Sequence, residues 1–490
     1  MNGLMSRKIL AMYLALSMLV GVGVTYVATE VLDGTNLIAS NNNSANESQA
    51  SQPEPSEDAQ EQMKKIGQVY DLIKSRYVED IEDAELIEGA IQGMVNTLED
   101  PYSVYMDKET ADQFSQSLDS SFEGIGAEVS MMEGKVTIVA PFKDSPAEKA
   151  GLKSNDQILS VDGKSVEGLD LYDAVLKIRG EKGTIVQLEV VRPGVTEILK
   201  IDVKRDEIPI ETVYSSIKEY NGKKVGYIEL TSFAEDTAKD FATSLDELEK
   251  QKIDGLVLDV RGNPGGYLES VEEILKNLVT EEKPYVQIEE RSGNKQRFFS
   301  TLKEKKGYPI TVLIDRGSAS ASEILAGALK EAGNYEVVGE TSFGKGTVQQ
   351  AVPMGDGSNI KLTMFKWLTP DGNWIHEKGV EPTVEVLQPE YFYSNPISTE
   401  KELVLDTNSE QVKNAQLMLS GLGFEAGRKD GYFSKETETA VKAFQQANNL
   451  TVTGEIDSKT AEVIQTKLLE KVRDEKNDLQ LQTAIKILFQ

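Results

Sequence analysis

The 490-residue chain has no cysteine and a single histidine, His376. The first absence excludes a thiol nucleophile, a disulfide framework and thiolate metal sites. The second excludes a histidine-rich zinc cluster, so neither a metal nor another cofactor is expected. Basic residues are also in deficit: 52 Lys and Arg stand against 81 Asp and Glu, a formal net charge of -29. Such a surface repels nucleic acid, and no basic stripe offsets it, so nucleic acid is not an expected partner. What remains for chemistry is hydroxyls, lysines and carboxylates.

A length of 490 residues with 39% hydrophobic content implies several folded units. At the N-terminus, Arg7 and Lys8 precede an uncharged, mostly apolar run from Ile9 to Thr29. About 20 such residues can span a bilayer. The positive flank predicts a cytoplasmic N-terminus, with the domains on the extracytoplasmic face of the cell membrane. Residues 1–30 are read as an uncleaved anchor. The alternative is a signal peptide cleaved after "YVA", which would secrete the protein to the cell wall.

Residues 31–62 read as a linker, since 38–60 are rich in Asn, Ser, Gln, Glu and Pro. Residues 63–118 read as a helical region. Ile66, Val69, Tyr70, Ile73 and Tyr77 recur at helical spacing, as do Ile87, Ile91, Met94, Val95 and Leu98 before Pro101. Packing helices are the plain expectation; an arm that forms a homodimer is the alternative. Residues 119–205 carry short strand signals such as "KVTIVA", "QILSV" and "TIVQLEVVR". "GIGA" (124–127) followed by "DSPAEKAGLKSNDQILSVDGKSV" resembles a PDZ domain of the circularly permuted kind found in bacterial proteases. That resemblance implies that the loop Gly124, Ile125, Gly126, Ala127 offers backbone N–H groups to a peptide C-terminal carboxylate, with the peptide added to a sheet edge.

From 206 to 395 the pattern turns α/β, with "KVGYIEL", "DGLVLDV" and "ITVLID" as strands and helices between them. The unbroken apolar runs are those of strands covered on both faces. Residues 405–468 hold three helices separated by Asp-Gly and Thr-Gly turns and resemble a peptidoglycan-binding domain, which implies peptidoglycan as a partner. A charged helix is expected over 469–490. The fold class is therefore multidomain α/β and α+β: membrane helix, helical arm, PDZ β-domain, α/β core and a small three-helix domain.

"RGSASASEILAGALKEAG" (316–333) places three serines after a buried strand and before a helix. A helix N-terminus supplies free N–H groups and the positive end of a dipole. Ser320 and Glu323 have the spacing of a capping box. That puts Ser320 at the junction, Ser318 in the turn and Ser322 in the first helical turn. Ser320 is thus the candidate nucleophile, and a simple helix cap is the competing role. His376, beside Lys378 in a loop, is a candidate base that fits a packing residue better. A desolvated lysine is the alternative. Lys345 sits between glycines in "TSFGKGTVQQ", with Gln349 four residues on, on the same side of a strand or helical turn.

This stretch, with "LDVRGNPGG" upstream and the PDZ segment before it, closely resembles the carboxyl-terminal processing peptidases over residues 65–390. The resemblance implies a serine endopeptidase in which Ser320 is the nucleophile, Lys345 its base and Gln349 the residue that orients the lysine. It also implies an oxyanion hole from the backbone N–H of Gly265 or Gly266 and of Ala321. Gly262 stands where the family often has Asn. The family's architecture further implies a PDZ unit over the cleft, with Arg179 coupling peptide capture to the site. A catalytically silent adaptor of PDZ and wall-binding units is the alternative function.

Overall fold

A computed structural model describes residues 57–490 apart from 117–118, 133, 143, 170, 194 and 399–400. The expected membrane segment and most of the linker lie outside these residues. Among the described residues no helix is long and apolar enough to cross a membrane.

The chain opens with α1 (Glu57–Arg76) and α2 (Asp83–Asn96), the first starting inside the expected linker. Their apolar faces are not packed as expected: Met63, Ile66, Val69, Leu72, Ile87 and Met94 are all exposed, and Val95 alone of α2 is buried. A helical stripe reads the same in sequence whether its partner is this chain or another. Strand β1 (Val104–Met106) and α3 (Lys108–Gln116) follow, so the expected helical region also contains a strand.

The PDZ unit comprises β2 (Ser121–Gly124), β3 (Ala127–Met132), β4 (Lys135–Pro141), α4 (Pro146–Lys149), β5 (Gln157–Val161), β6 (Lys164–Ser165), α5 (Leu171–Ile178), β7 (Ile185–Val191), β8 (Leu199–Lys204) and β9 (Asp206–Pro209). Its sheet runs β3-β4-β5-β7-β8, with β6 on β5, while β2 and β9 form a separate ribbon. Alternation explains the core: Val186, Leu188 and Val190 of β7 point inward onto Val136, Ile138, Ile158 and Val203. Ser145 caps α4 by accepting the Glu148 N–H at 3.2 Å. Strand β3 is an edge and packs against α5.

The α/β core contains β10 (Val213–Tyr220), β11 (Lys223–Leu230), α6 (Thr237–Lys250), β12 (Gly255–Asp259), α7 (Leu268–Leu275), β13 (Pro284–Glu290), β14 (Lys295–Phe299), β15 (Ile310–Ile314), α8 (Ala321–Glu331), β16 (Glu336–Gly339), β17 (Thr347–Pro353), β18 (Asn359–Leu368) and β19 (Val384–Glu385). The main sheet, β10-β11-β12-β15-β16-β19, is parallel from β11 onward. All five residues of β12 and of β15 are buried. Leu256, Leu258, Val312 and Ile314 face the cluster under α6, α7 and α8; Val257 and Leu313 face the other side. A second sheet runs β1-β18-β13-β14, with β17 also on β18. It brings β1, from the N-terminal region, alongside Lys361 of β18.

Helices α9 (Glu410–Gly421), α10 (Lys435–Ala447) and α11 (Ser458–Arg473) form the three-helix unit, each with a Ser or Asp cap. Its core centres on Leu419, Phe433, Phe444 and Ile464. The expected boundary after 468 is corrected, because α11 runs on to Arg473. The final helix, α12 (Leu479–Ile487), turns back to the core. Leu481, Ala484 and Leu488 cover Val225, Val257, Leu313 and Val338. A parallel sheet needs cover on both faces, and the last residues of the chain supply it here.

Candidate active site

The loops that leave the C-terminal ends of β12 and β15 lie against each other. Ser318 Oγ donates to the Val260 carbonyl at 2.8 Å, and Ser322 Oγ donates to the Asn263 carbonyl at 2.9 Å. Asp315 accepts the N–H groups of Gly262 (2.8 Å) and Gly317 (2.9 Å). Two of the three serines therefore fasten the turn, which leaves Ser320 for other work. Ser320 is the N-cap of α8, with φ 55° and ψ -113°. A non-glycine residue in the positive-φ region is strained and persists only where its surroundings hold it.

Glu323 does the holding. Its carboxylate is fully buried and accepts four donors: the Ser320 N–H at 2.8 Å, Ser342 Oγ at 2.6 Å, the Gly344 N–H at 2.7 Å and the Lys345 N–H at 2.8 Å. One side chain thus fixes the backbone of Ser320 and of Lys345 together. Burial pushes its carboxyl up from the ordinary value. Because all four neighbours are donors, the site nevertheless accommodates the ionised form. The sequence pattern suggests only a helix cap here.

Gly265 and Gly266 lie beside this elbow. A Cβ on Gly265 would come within 2.8 Å of Ser320 Cβ and 3.1 Å of the Ala321 nitrogen, and one on Gly266 within 2.1 Å of the Phe233 carbonyl oxygen. Their φ values, 108° and 155°, also favour glycine. The Gly265 N–H is taken by Asn263 Oδ1 at 2.8 Å. The N–H groups of Gly266 and Ala321 donate to no acceptor among the described residues.

Lys345 has no solvent exposure, and its Nζ has no hydrogen-bond partner among the described residues. The amine lies 5.1 Å from the Tyr102 ring centroid. Desolvation, and then the nearby charge of Lys361, bring its pKa down to about 7. Gln349 is also buried; its Nε2 donates to Thr347 and Thr363 at 3.0 Å each, and its Oε1 has no partner among the described residues. Lys345 Nζ is therefore hydrogen-bonded neither to Ser320 nor to Gln349 here, so the expected orienting contact is not made. The β17–β18 register shifts between Val348 and Gln349, a local irregularity beside the site. His376 is no base for Ser320. Its Nδ1 accepts the Gly346 N–H at 3.4 Å, and its ring stacks on Trp374 with centroids 5.1 Å apart.

Arg261, in the loop that leads to the two glycines, is gripped by the C-terminal segment. It donates to Asp259 (2.6 Å), to Asp478 (2.8 Å) and to Gln480 (3.0 Å). Replacing Asp478 by Ala leaves this largely buried guanidinium with two of its three partners. It should cost about 2 kcal/mol, read as a lower thermal midpoint of the peptidase transition. An unchanged midpoint would show the clasp to be dispensable.

In the PDZ unit, the N–H groups of Ile125 and Gly126 have no acceptor among the described residues, while their carbonyls accept from Ala147 (2.8 Å) and Phe142 (2.9 Å). Gly126 has φ 71°, and a Cβ there would meet Ser145 at 2.6 Å. The Arg179 guanidinium lies 4.8 Å from the Phe122 ring centroid. It lines a cavity of about 860 Å³ that also touches Glu235 and Asp236 of the core. No group of acids and histidine that could hold a metal occurs among the described residues.

Comparison with known proteins gives four matches along the chain. Peptidase family S41 matches residues 224–386, the PDZ domain 124–203, the peptidoglycan binding domain 408–464, and the activating protease CtpB N-terminal domain 18–110. The chain is similar to the carboxy-terminal processing protease CtpB of Bacillus subtilis (strain 168), 59% identical over 99% of this chain and 100% of that one. It is also similar to carboxy-terminal processing protease CtpA of the same organism, 43% identical over 86% of this chain and 90% of that one.

Proposed function

Since the chain belongs to the carboxy-terminal processing proteases, serine-type peptidases of family S41 with a PDZ domain, we propose that Ser320 and Lys345 form its catalytic pair. Neutral Lys345 takes the Ser320 Oγ proton as the oxygen attacks the scissile carbonyl. The N–H groups of Gly266 and Ala321 hold the oxyanion, each worth about 3 kcal/mol. The lysinium then protonates the leaving amine, the acyl group stays on Ser320, and water releases it. Gln349 orients the amine once substrate draws it toward Ser320. The observation that carries this reading is a fully buried, unpartnered lysine tied by its backbone to the same carboxylate that holds Ser320. The adaptor reading loses to it, because a scaffold has no use for a desolvated amine.

The PDZ loop supplies the N–H groups of Ile125 and Gly126 to a substrate's C-terminal carboxylate, with Gly124 and Ala127 flanking them and β3 as the free edge. Arg179, at the cavity shared with the core, couples that capture to cleavage. The test is a peptide with a free C-terminus, incubated with wild type and with Ser320→Ala. Cleavage by wild type alone is the expected result. Amidating the peptide should raise KM about tenfold or more, a charge-assisted contact being worth about 1.5–3 kcal/mol. Equal cleavage of both peptides would remove the carboxylate site. Unchanged activity in Arg179→Ala would remove the coupling.

We further place the protein on the extracytoplasmic face of the membrane, anchored by residues 9–29 and held near peptidoglycan by α9–α11. The exposed apolar faces of α1 and α2 support a homodimer. Cosedimentation with purified peptidoglycan and sedimentation velocity of the soluble part test the last two.

A further inference from the structure

The ring above Lys345 does not come from the peptidase segment. Tyr102 lies in the turn between α2 and β1, within the N-terminal region whose family match ends at residue 110. That turn is built to hold it. Asp100 accepts the Tyr102 N–H at 3.0 Å and Ser103 Oγ at 2.6 Å. Ser103 Oγ in turn accepts the Thr363 N–H at 3.0 Å, and Thr363 Oγ1 accepts from Gln349. Strand β1 then pairs with β18, Val104 opposite Lys361. The ring also meets His376 edge-on, with centroids 6.2 Å apart. The Tyr102 hydroxyl makes no hydrogen bond among the described residues, so the ring face is the functional part.

We propose that Tyr102 is a positioning residue for the catalytic base: its ring closes the pocket around Lys345 Nζ and keeps the amine out of water. This rests on Lys345 being the base. An aromatic wall removes hydration, and although its π face attracts an ammonium, that pull is far weaker than a carboxylate's, so desolvation prevails. The charged groups that face Lys345 act around it. Lys361, buried on β18 with its amine 4.9 Å from the Phe114 ring centroid, disfavours the charged form; Glu323 and Asp100 favour it. His376 packs edge-on against Tyr102 itself, and the charge of Glu377 also acts on it. With these groups unchanged, the ring decides whether water reaches the amine. The helical arm therefore completes the site, and the S41 segment alone would carry a hydrated, protonated lysine.

The test is the pH dependence of kcat/KM for the full chain carrying Tyr102→Phe, Tyr102→Leu or Tyr102→Ala, with Lys345→Ala as control. Tyr102→Phe keeps the wall and should keep the wild-type midpoint. Tyr102→Leu keeps most of the burial and should shift the midpoint little. Tyr102→Ala admits water and should move the midpoint up by about one pH unit or more. Activity should then fall about fivefold or more at neutral pH and recover at alkaline pH. A loss in Tyr102→Ala that is the same at every pH, or no change at all, would overturn the proposal. Full activity in Lys345→Ala would instead overturn the base assignment, whatever the Tyr102 variants do.

Discussion

Lys345→Ala is expected to lower kcat by about 10⁴-fold or more, close to the loss in Ser320→Ala, because nucleophile and base act together. The double variant should then be scarcely worse than either single one. Lys345→Arg should be as inactive as Lys345→Ala, since a guanidinium keeps its proton throughout the working range. Lys345→Met separates activity from stability. In the folded protein the amine titrates near 7, whereas in the unfolded chain it keeps the ordinary lysine value. Between those values the unfolded state binds the extra proton, so native stability rises with pH across that window. Holding the amine neutral at pH 7.5 costs about 4 kcal/mol, since each pH step below the ordinary lysine value adds about 1.4 kcal/mol. Methionine removes that cost, so Lys345→Met should be inactive yet raise the thermal midpoint. A variant that is inactive and also less stable would mean that the amine has a partner after all.

The second large effect is expected at Glu323. Alanine there strands three buried N–H groups and the Ser342 hydroxyl. Each orphaned donor costs about 1–3 kcal/mol, so a loss of about 4 kcal/mol or more follows. Glu323→Gln offers one acceptor oxygen and turns an amide NH₂ toward two donors, so it should fall between wild type and alanine. The kinetic signature should be in kcat, since the strained Ser320 backbone and the Lys345 loop both lose their tether while the PDZ loop is untouched. Calorimetry with steady-state kinetics on the two variants checks both points. Wild-type stability in Glu323→Ala would show that the four bonds are not what holds the elbow.

The elbow is legible in sequence because its determinants are local. A buried strand, small residues and a capping-box spacing fix the position of Ser320, and the structure assigns Ser318 and Ser322 the fastening roles that remain. Lys345 is legible as a residue type with glycine neighbours, but its burial is not. The groups that desolvate it, Tyr102 and Lys361, come from other elements, and no local pattern marks either. Strand β14, "KQRFF", and strand β17, "TVQQAVP", carry no clear strand signal because each is short and partly polar, stabilised by pairing rather than by an apolar run. The apolar runs of β12 and β15 do announce two covered faces. That the second cover is α12, at the far end of the chain, cannot be read from them. Arg261 likewise gains meaning only once Asp478 is seen to fold back on it.

Whether Lys345 acts as a neutral base is tested most directly by the pH dependence of wild-type kcat/KM. With a peptide bearing a free C-terminus and no group titrating between about pH 5 and 10, the predicted profile rises with pH, bends near 7 and is level above about 8. A profile that is flat from mildly acidic to alkaline pH, or one still rising at about pH 10, would contradict that role.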